Sequence, residues 1–378
     1  MDAKERRGSG WLPEGCILER RRARFANSET GLFMAIELEL SGLPLWWDRE
    51  NRELLFGPGK EALMPAVRWD FEMQEVLYRE NTAGEEKLEE EVPGEKEPGI
   101  LYYMYRNFCL PEHLMLFRKN GIRYDITVLI PGSIGAEYIK TAGHYHPLKP
   151  GAACTYAEVY EVIYGRALYL IQRPHRLAEP RAGLEEIIIF DAAPGDKVLI
   201  PPDFGHVTIN PGPDFLIMSN LVAAEFESVY TPLQEMGGAG YFGLVPTGEP
   251  EGRGAGAARA GRHEGGGQNG GEHEGSVQAA GGRADDKRVE AGQKANMWQT
   301  ERPPATGSDG PIFVPNPRYA SLPPLLRARP QEVPQFSLRR GFPQYHAFIE
   351  NPAHFSFLTH PEDFAEDFQE YLQGVLLR

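Results

Sequence analysis

The sequence predicts an all-β fold, a sandwich or a barrel, between residue 100 and about residue 242. Short β-rich runs recur there, and Pro-Gly pairs at Pro131, Pro194 and Pro211 separate them. Short strands at regular spacing between Gly and Pro turns are typical of sandwiches and barrels. No apolar run of helical period interrupts the region, which disfavours a βαβ fold. The predicted strands are residues 100–105, 123–130, 136–141, 156–171, 185–190, 197–200, 206–210 and 215–222.

The flanking segments differ in composition from this region. Residues 1–30 are basic and irregular, which predicts a flexible N-terminal arm before a domain at 31–246. Residues 247–310 are built mainly of Gly, Ala, Glu, Arg and Gln. Such a segment buries too little apolar surface to offset its ordering entropy, so it is predicted to be a disordered low-complexity insert. Residues 311–378 form a C-terminal extension.

A helix is predicted at the end of this extension. Thr359 and Glu362 have the spacing of a capping box, and Pro361 stands in the first turn. Apolar residues then fall on one helical face, which is expected to pack on the barrel or on a partner subunit. They are Phe364, Phe368, Tyr371, Leu372 and Val375.

Charge and cysteine content limit the classes of function. The net charge of -15 argues against a nucleic-acid-binding protein, because phosphate neutralisation needs clustered Lys and Arg. The three cysteines, Cys16, Cys109 and Cys154, are far apart, which fits a reducing compartment without a disulfide framework. We find no signal-peptide-like run and no apolar stretch of membrane-span length. A cytoplasmic protein is therefore expected.

Three histidines and one glutamate form the most informative pattern. His144 and His146 lie two residues apart on a predicted strand, so their imidazoles point to the same side. Glu158 begins a similar same-face pair with Tyr160, and His206 follows a Pro-bounded turn. A single strand histidine more often has a structural role. Together, three imidazoles and a carboxylate are a common ligand set for divalent first-row metals and leave positions open for substrate.

These segments resemble the paired motifs of the cupin superfamily. The second motif is matched by Gly195, Pro201, His206 and Asn210, with Asp203 where the motif usually has Gly. The first motif is similar to that of one family, the cupin-type glucose-6-phosphate isomerases of archaea and some bacteria. Members carry Thr-x-Gly-His-x-His, then Ala-Glu-Val-Tyr and a Gly turn, seen here at 141–146, 157–160 and 165. The resemblance extends to residues 127–132, Tyr230 and 316–319.

The resemblance implies a cupin double-stranded β-helix, a jelly-roll barrel, for the 31–246 domain. It also implies an isomerase that interconverts glucose 6-phosphate and fructose 6-phosphate through an enediolate, in glycolysis and gluconeogenesis. One divalent metal ion per subunit is expected, Fe²⁺ first, with Mn²⁺, Ni²⁺ or Zn²⁺ as alternatives. Family members are typically homodimers, and no nucleic-acid or membrane partner is expected. The implied metal ligands are His144, His146, Glu158 and His206.

Glu158 is the one carboxylate of the set and is the candidate base, and Tyr160 is the candidate donor to a sugar oxygen. The substrate-binding candidates are Thr127, Thr141 and Gly143, for the phosphate, together with Tyr102 and Tyr230. Two positions depart from the family pattern: Val222 replaces an expected Tyr, and Ser228 replaces a His found in some members. These departures affect the substrate contacts and leave the metal set intact.

Two other classes of function fit the ligand set. An oxygen-using cupin such as a dioxygenase is one, because His and Glu ligands also suit iron and dioxygen. A non-catalytic cupin that binds a sugar is the other. The Thr-x-Gly lead into the histidine pair and the family's Thr and Tyr positions favour the isomerase, and a binding module does not need all four ligands.

Overall fold

The computed structural model describes residues 35–79, 99–177, 179–246 and 310–376. The predicted N-terminal arm and residues 247–309 of the predicted insert lie outside this range. The strands are, in chain order, β1 (Ala35–Glu37), β2 (Leu45–Asp48), β3 (Glu53–Phe56), β4 (Glu61–Ala62), β5 (Ala66–Trp69), β6 (Ile100–Tyr105), β7 (Ile122–Leu129), β8 (Ser133–Ile134), β9 (Glu137–Tyr138), β10 (Glu158–Tyr164), β11 (Ala167–Pro174), β12 (Leu184–Ala192), β13 (Lys197–Ile200), β14 (Gly205–Ile209), β15 (Leu216–Ala223), β16 (Tyr241–Leu244), β17 (Ile312–Pro315) and β18 (Leu326–Ala328).

Helices are short and lie mostly at the periphery. The α-helices are α1 (Leu114–Asn120), α2 (Thr231–Glu235), α3 (Gln344–Glu350) and α4 (Ala365–Leu376). The 3₁₀ turns are Glu39–Ser41, Asp70–Val76, Pro111–His113, Pro180–Ala182, Pro334–Phe336, Pro352–Leu358 and Pro361–Phe364. No helix in the described ranges combines the length and apolar character that a membrane span requires.

Two sheets build the body of the molecule. One has the strand order β13-β10-β15-β7-β6-β5, and the other has the order β14-β11-β12-β18. Their neighbouring strands pair antiparallel, apart from β12 with β18. Helix α1 separates β6 from β7, yet these strands also pair antiparallel, so no βαβ unit arises there. The predicted all-β architecture is confirmed.

The inner faces of the two sheets contact each other. Tyr160 of β10 packs against Tyr169 of β11 with ring centroids 5.2 Å apart, and the Tyr169 hydroxyl donates to Met218 Sδ of β15 at 3.4 Å. Side chains alternate between the faces of a strand, so Glu158 lies on the same inner face as Tyr160. This alternation directs the chemically informative residues of β10 into the space between the sheets.

The region predicted as one strand at 156–171 is two strands joined at a turn. Gly165 lies between β10 and β11 with a φ of 85°, and a Cβ there would approach the Phe215 carbonyl oxygen to 2.4 Å. Only glycine adopts this conformation without strain and fits this contact. The turn sets β10 in the six-stranded sheet and β11 in the facing sheet.

The C-terminal extension packs on the outer face of the six-stranded sheet. The Gln344 amide N–H donates to Glu161 Oε2 at 2.7 Å, and its side-chain Nε2 donates to Ser219 Oγ at 2.8 Å. Tyr345 is fully buried against Tyr124, with ring centroids 5.1 Å apart. The extension therefore supplies the cover that keeps the outward side chains of β7, β10 and β15 out of water.

The terminal helix exists, but its predicted capping box is wrong. The Thr359 hydroxyl donates to the Ser356 carbonyl at 3.3 Å, and Glu362 forms an ion pair with Lys149. Both side chains are thus engaged elsewhere, and a 3₁₀ turn at Pro361–Phe364 precedes α4. The predicted apolar face does pack on the body: Phe368, Tyr371 and Val375 are buried, and Phe364 and Leu372 lie against the core.

The described strands that flank residues 247–309 pair with each other, with Leu244 of β16 opposite Ile312 of β17. We expect that a short Gly/Ser linker can replace residues 247–309 with turnover retained. The free energy of unfolding should stay level or rise by up to about 2 kcal/mol, since a shorter loop loses less closure entropy. Urea unfolding and turnover of the shortened chain measure both. A large loss of turnover in a folded variant would contradict this and assign the segment a role at the site.

Candidate metal centre

The four predicted ligands lie together between the two sheets. His144, His146, Glu158 and His206 each offer one ligand atom, and these atoms lie within 4.8 Å of one another. His144 and His206 are held side by side by a backbone bridge, with N···O distances of 3.2 and 3.0 Å. Glu158 reaches them from β10 in the opposite sheet. The proximity expected from the sequence is therefore observed.

The two oxygens of the Glu158 carboxylate have different surroundings. Its Oε2 lies 3.2 Å from His146 Nε2 and 3.2 Å from His206 Nε2. Its Oε1 accepts a hydrogen bond from Asn220 Nδ2 at 2.6 Å. One oxygen is thus held by the protein, and the other points into the histidine group. Outer-shell contacts of this kind commonly orient metal ligands.

His146 is fixed in the tautomer that a ligand needs. Its Nδ1 lies 2.8 Å from the Tyr156 carbonyl oxygen, which can only accept a hydrogen bond. Nδ1 therefore carries the proton, and Nε2 presents its lone pair to the group. The Tyr156 ring also stacks on Phe226, which packs against His146 with centroids 4.6 Å apart. These contacts lock the ring in place.

Unpaired buried atoms in the group fit a cation. His146 Nε2, Glu158 Oε2 and His206 Nδ1 are buried and have no hydrogen-bond partner. Buried polar atoms without partners are rare because each carries a desolvation cost. A divalent cation would satisfy the first two directly, and a nitrogen and oxygen donor set is what such ions prefer.

The electrostatics favour the protonation state that metal binding requires. Burial lowers the pKa of His144 well below its ordinary value, and burial also lowers the pKa of His206. Burial would raise the pKa of Glu158, but the facing imidazoles His146 and His206 outweigh it and hold that pKa well below its ordinary value. These directions favour neutral imidazoles at His144 and His206 and an ionised carboxylate at Glu158, the states in which these residues bind a metal.

The second cupin-like motif is explained by local geometry. Asp203 has a φ of 70°, which accounts for the glycine usual at this position, since Asp tolerates the left-handed region better than most residues. Its Oδ1 accepts the Thr155 amide at 3.0 Å, and its own amide donates to Thr155 Oγ1 at 2.6 Å. Asn210 donates to the carbonyls of Ile130 and Asp214, so it braces the loops beside the site.

A cavity of about 440 Å³ adjoins the ligand group. Arg68, Gly143 and Tyr230 are among the residues that line it, and the Tyr230 ring lies 5.7 Å from the His144 ring. Gly143 has a φ of 74°, and a Cβ there would lie 2.4 Å from Val207 Cγ2. Glycine is thus required where the chain passes between the cavity and the core.

The predicted substrate residues occupy different places. Tyr102 and Gly143 lie at the cavity side, where the Tyr102 hydroxyl accepts the Ala142 amide at 3.3 Å. Thr141 Oγ1 accepts the Thr208 amide at 3.0 Å, which engages one of its lone pairs. Thr127 lies in β7 opposite Met104, buried, in register with the inward side chains.

The remaining candidates lie nearer the ligand group or at departures from the family pattern. The Tyr160 hydroxyl is 3.1 Å from His206 Nε2. Val222, which replaces an expected Tyr, is buried in a small cluster with Tyr156 and Phe226. Ser228 lines the cavity.

Sequence reasoning missed Asn220 and Arg68. Asn220 is buried within the mainly apolar strand β15, and a buried polar side chain needs a partner, which was the available signal. Arg68 lies in β5, before the matched motifs, and no sequence pattern relates its position to those motifs. Only strand pairing, Arg68 opposite Tyr102, brings it to the cavity.

The glucose-6-phosphate isomerase family model matches residues 75–253. Glucose-6-phosphate isomerase of Thermococcus kodakarensis is 31% identical over 153 residues, 40% of this chain and 70% of that protein. The enzyme of Pyrococcus abyssi is 29% identical over 154 residues, with the same two shares. The enzyme of Thermococcus gammatolerans is 30% identical over 120 residues, 32% of this chain and 56% of that protein, so the match spans little more than half of that relative.

Among solved structures, the chain is similar to a cupin 2 conserved barrel domain protein from Rhodopseudomonas palustris, with a TM-score of 0.24 and 16% identity over 46% of this chain and 80% of that chain.

Proposed function

We propose that this chain, which belongs to the glucose-6-phosphate isomerase family, is a metal-dependent aldose–ketose isomerase that interconverts glucose 6-phosphate and fructose 6-phosphate. The observation that supports this most is the buried group His144, His146, Glu158 and His206, with ligand atoms within 4.8 Å of one another. A cavity of about 440 Å³ is lined by the neighbouring residues Gly143 and Tyr230, and it is large enough for a sugar phosphate.

The reaction moves one proton between C1 and C2 and another between the two oxygens. It needs a base, and positive charge for the developing enediolate oxygen. A divalent metal ion held by the four residues would supply that charge as a Lewis acid. We propose Fe²⁺ as this ion; Mn²⁺, Ni²⁺ and Zn²⁺ suit the same nitrogen and oxygen donors.

We propose Glu158 as the base and Tyr160 as a donor to a sugar oxygen. The Glu158 carboxylate faces the ligand group, with its Oε2 3.2 Å from both His146 Nε2 and His206 Nε2. Tyr160 shares its inner face on β10, two residues along, so both side chains reach the same substrate region. Burial raises the pKa of Tyr160 well above its ordinary value, which keeps the hydroxyl protonated and able to donate.

The phosphate contacts proposed from the family pattern are Thr127, Thr141 and Gly143, with Tyr102 and Tyr230 as further substrate contacts. Gly143 and Tyr230 support this best, because both line the cavity, and Tyr102 accepts the amide of Ala142, which also lines it. We also propose that the enzyme is a cytoplasmic homodimer that acts in glycolysis and gluconeogenesis.

A coupled assay with purified protein tests the proposal. Glucose 6-phosphate is supplied, fructose 6-phosphate formation is followed, and the assay is repeated after a chelator and again after Fe²⁺ is returned. We expect turnover that the chelator removes and the metal restores. Oxygen consumption without isomerisation would point to a dioxygenase. The proposal fails if metal-replete, folded protein forms no product.

A further inference from the structure

Arg68 projects into the cavity beside the metal ligand group. Its Cζ lies 5.9 Å from the Tyr102 ring centroid and 5.6 Å from that of Tyr230, so the guanidinium is held between two aromatic rings. Its Nε donates to the Tyr102 hydroxyl at 3.1 Å. The side chain is only 21% exposed, and it lines the same cavity as Gly143. A guanidinium is therefore fixed in position where a ligand can reach it.

Tyr102 supports Arg68 from a buried position. Its hydroxyl oxygen accepts hydrogen bonds from Arg68 Nε and from the Ala142 amide, at 3.1 and 3.3 Å. The contact engages Nε and leaves the terminal nitrogens of the guanidinium for other partners. Arg68 thus presents hydrogen-bond donors to the cavity, a chemistry suited to an anion with several oxygens.

Glu72 is the carboxylate that faces Arg68. Its Oε1 lies 3.3 Å from Arg68 Nη1, and its Oε2 accepts the Trp69 amide at 2.8 Å. The ion pair is a single long contact, and Glu72 is one-third exposed. Such a pair contributes little and is readily exchanged for a stronger partner.

Arg106 is a second guanidinium near the ligand group, and after burial and the neighbouring histidines it also lowers the pKa of His144. It forms an ion pair with a buried carboxylate: its Nη1 donates to Asp125 Oδ2 at 2.8 Å, and Asp125 is fully buried. Releasing Arg106 would leave that carboxylate with one fewer cation. Arg68 has no fully buried carboxylate as its partner. Binding an anion to Arg68 therefore costs less free energy than binding one to Arg106.

We propose that Arg68 is a further residue that recognises the phosphoryl group of the substrate, in addition to the phosphate contacts proposed above, and that Glu72 competes with this group for Arg68. The inference rests on the proposed function, which supplies a phosphorylated sugar. A guanidinium binds phosphate oxygens in a bidentate manner, and the chain's net charge of -15 makes a local cation necessary for drawing in an anion. Glu72 holds the guanidinium in place until the phosphoryl group replaces it.

The first test is binding of inorganic phosphate to chelator-treated protein by titration calorimetry, which requires neither metal nor turnover. Arg68→Met should weaken binding by about 10–100-fold, the scale of lost charged hydrogen bonds. With the metal restored, KM for fructose 6-phosphate should rise similarly while kcat changes little. Arg68→Lys keeps the positive charge but loses the paired guanidinium donors, so its phosphate affinity should lie between those of the wild type and Arg68→Met. Arg176→Met, in an exposed pair with Glu179, is the matched control and should change nothing.

In the second test, the substitution is expected to strengthen phosphate binding. Glu72→Gln keeps an oxygen for the Trp69 amide but removes the competing charge, so phosphate should bind about two- to fivefold more tightly. In the Arg68→Met background the same change should have no effect, because Glu72 acts through Arg68.

Three results would overturn the inference: no measurable phosphate binding by the wild-type protein, unchanged binding by Arg68→Met, or weaker binding by Glu72→Gln. Failure of the proposed function looks different, because the protein would then lack isomerase activity while these binding differences persist. Conversely, an active wild-type enzyme whose KM does not respond to Arg68→Met would reject only the role of Arg68.

Discussion

Replacing His206 with alanine is expected to empty the metal centre and abolish turnover. His206 is one of the four residues of the ligand group, and its Nε2 faces Glu158 Oε2 at 3.2 Å. Loss of a ligand should cost more than the roughly 10–100-fold drop in metal affinity that follows loss of an outer-shell partner. Metal content after dialysis against buffered metal, together with turnover, measures the effect.

Two further variants make this prediction specific. Asn220→Ala removes the donor to Glu158 Oε1, so metal affinity should fall by about 10–100-fold, less than for His206→Ala. His175→Ala is the matched control: this histidine is 44% exposed, pairs with Glu185 and lies outside the ligand group, so metal content and turnover should not change. If folded His206→Ala kept stoichiometric metal at wild-type affinity, the ligand assignment would be rejected.

The metal ligands could be found in the sequence because their arrangement depends on local geometry. The two-residue period of an extended chain places His144 and His146 on one side and Glu158 and Tyr160 on another common side, wherever those segments end up. Asp203 illustrates the same point, since its left-handed φ of 70° explains why glycine is usual at that position. A motif that encodes backbone conformation can be recognised without knowing the fold.

The rest of the site depends on which strands become neighbours. Asn220 reaches Glu158 because β15 pairs with β10, across 62 residues of sequence, and Arg68 reaches Tyr102 through the pairing of β5 with β6. No local pattern specifies these pairings. The capping box failed for a related reason: Glu362 has the correct spacing, but a tertiary ion pair with Lys149 competes for it. Tertiary contacts of this kind override local signals.

Glu158→Gln is expected to change two properties at once, the metal ligand and the proposed base. Asn220 Nδ2 donates to Oε1, so an amide at this position must turn its own oxygen toward Asn220. Its NH₂ group would then face His146 Nε2, His206 Nε2 and the metal position, where it cannot act as a ligand. The single variant should therefore lose both metal and turnover, and it cannot separate a ligand from a base.

The double variant Glu158→Gln with Asn220→Asp separates the two roles. The new carboxylate at 220 accepts the amide NH₂, which turns the amide oxygen toward the metal and keeps the total charge of the pair unchanged. Metal content should recover, because an oxygen ligand is again presented. Turnover should stay roughly 10²–10⁴-fold below wild type, the usual scale for losing general-base catalysis, because an amide cannot take up the proton. The single variant Asn220→Asp is the control for the effect of a carboxylate at position 220. Near wild-type turnover in the metal-replete double variant would rule out Glu158 as the base, and Tyr160, whose hydroxyl lies 3.1 Å from His206 Nε2, would then be the residue to test.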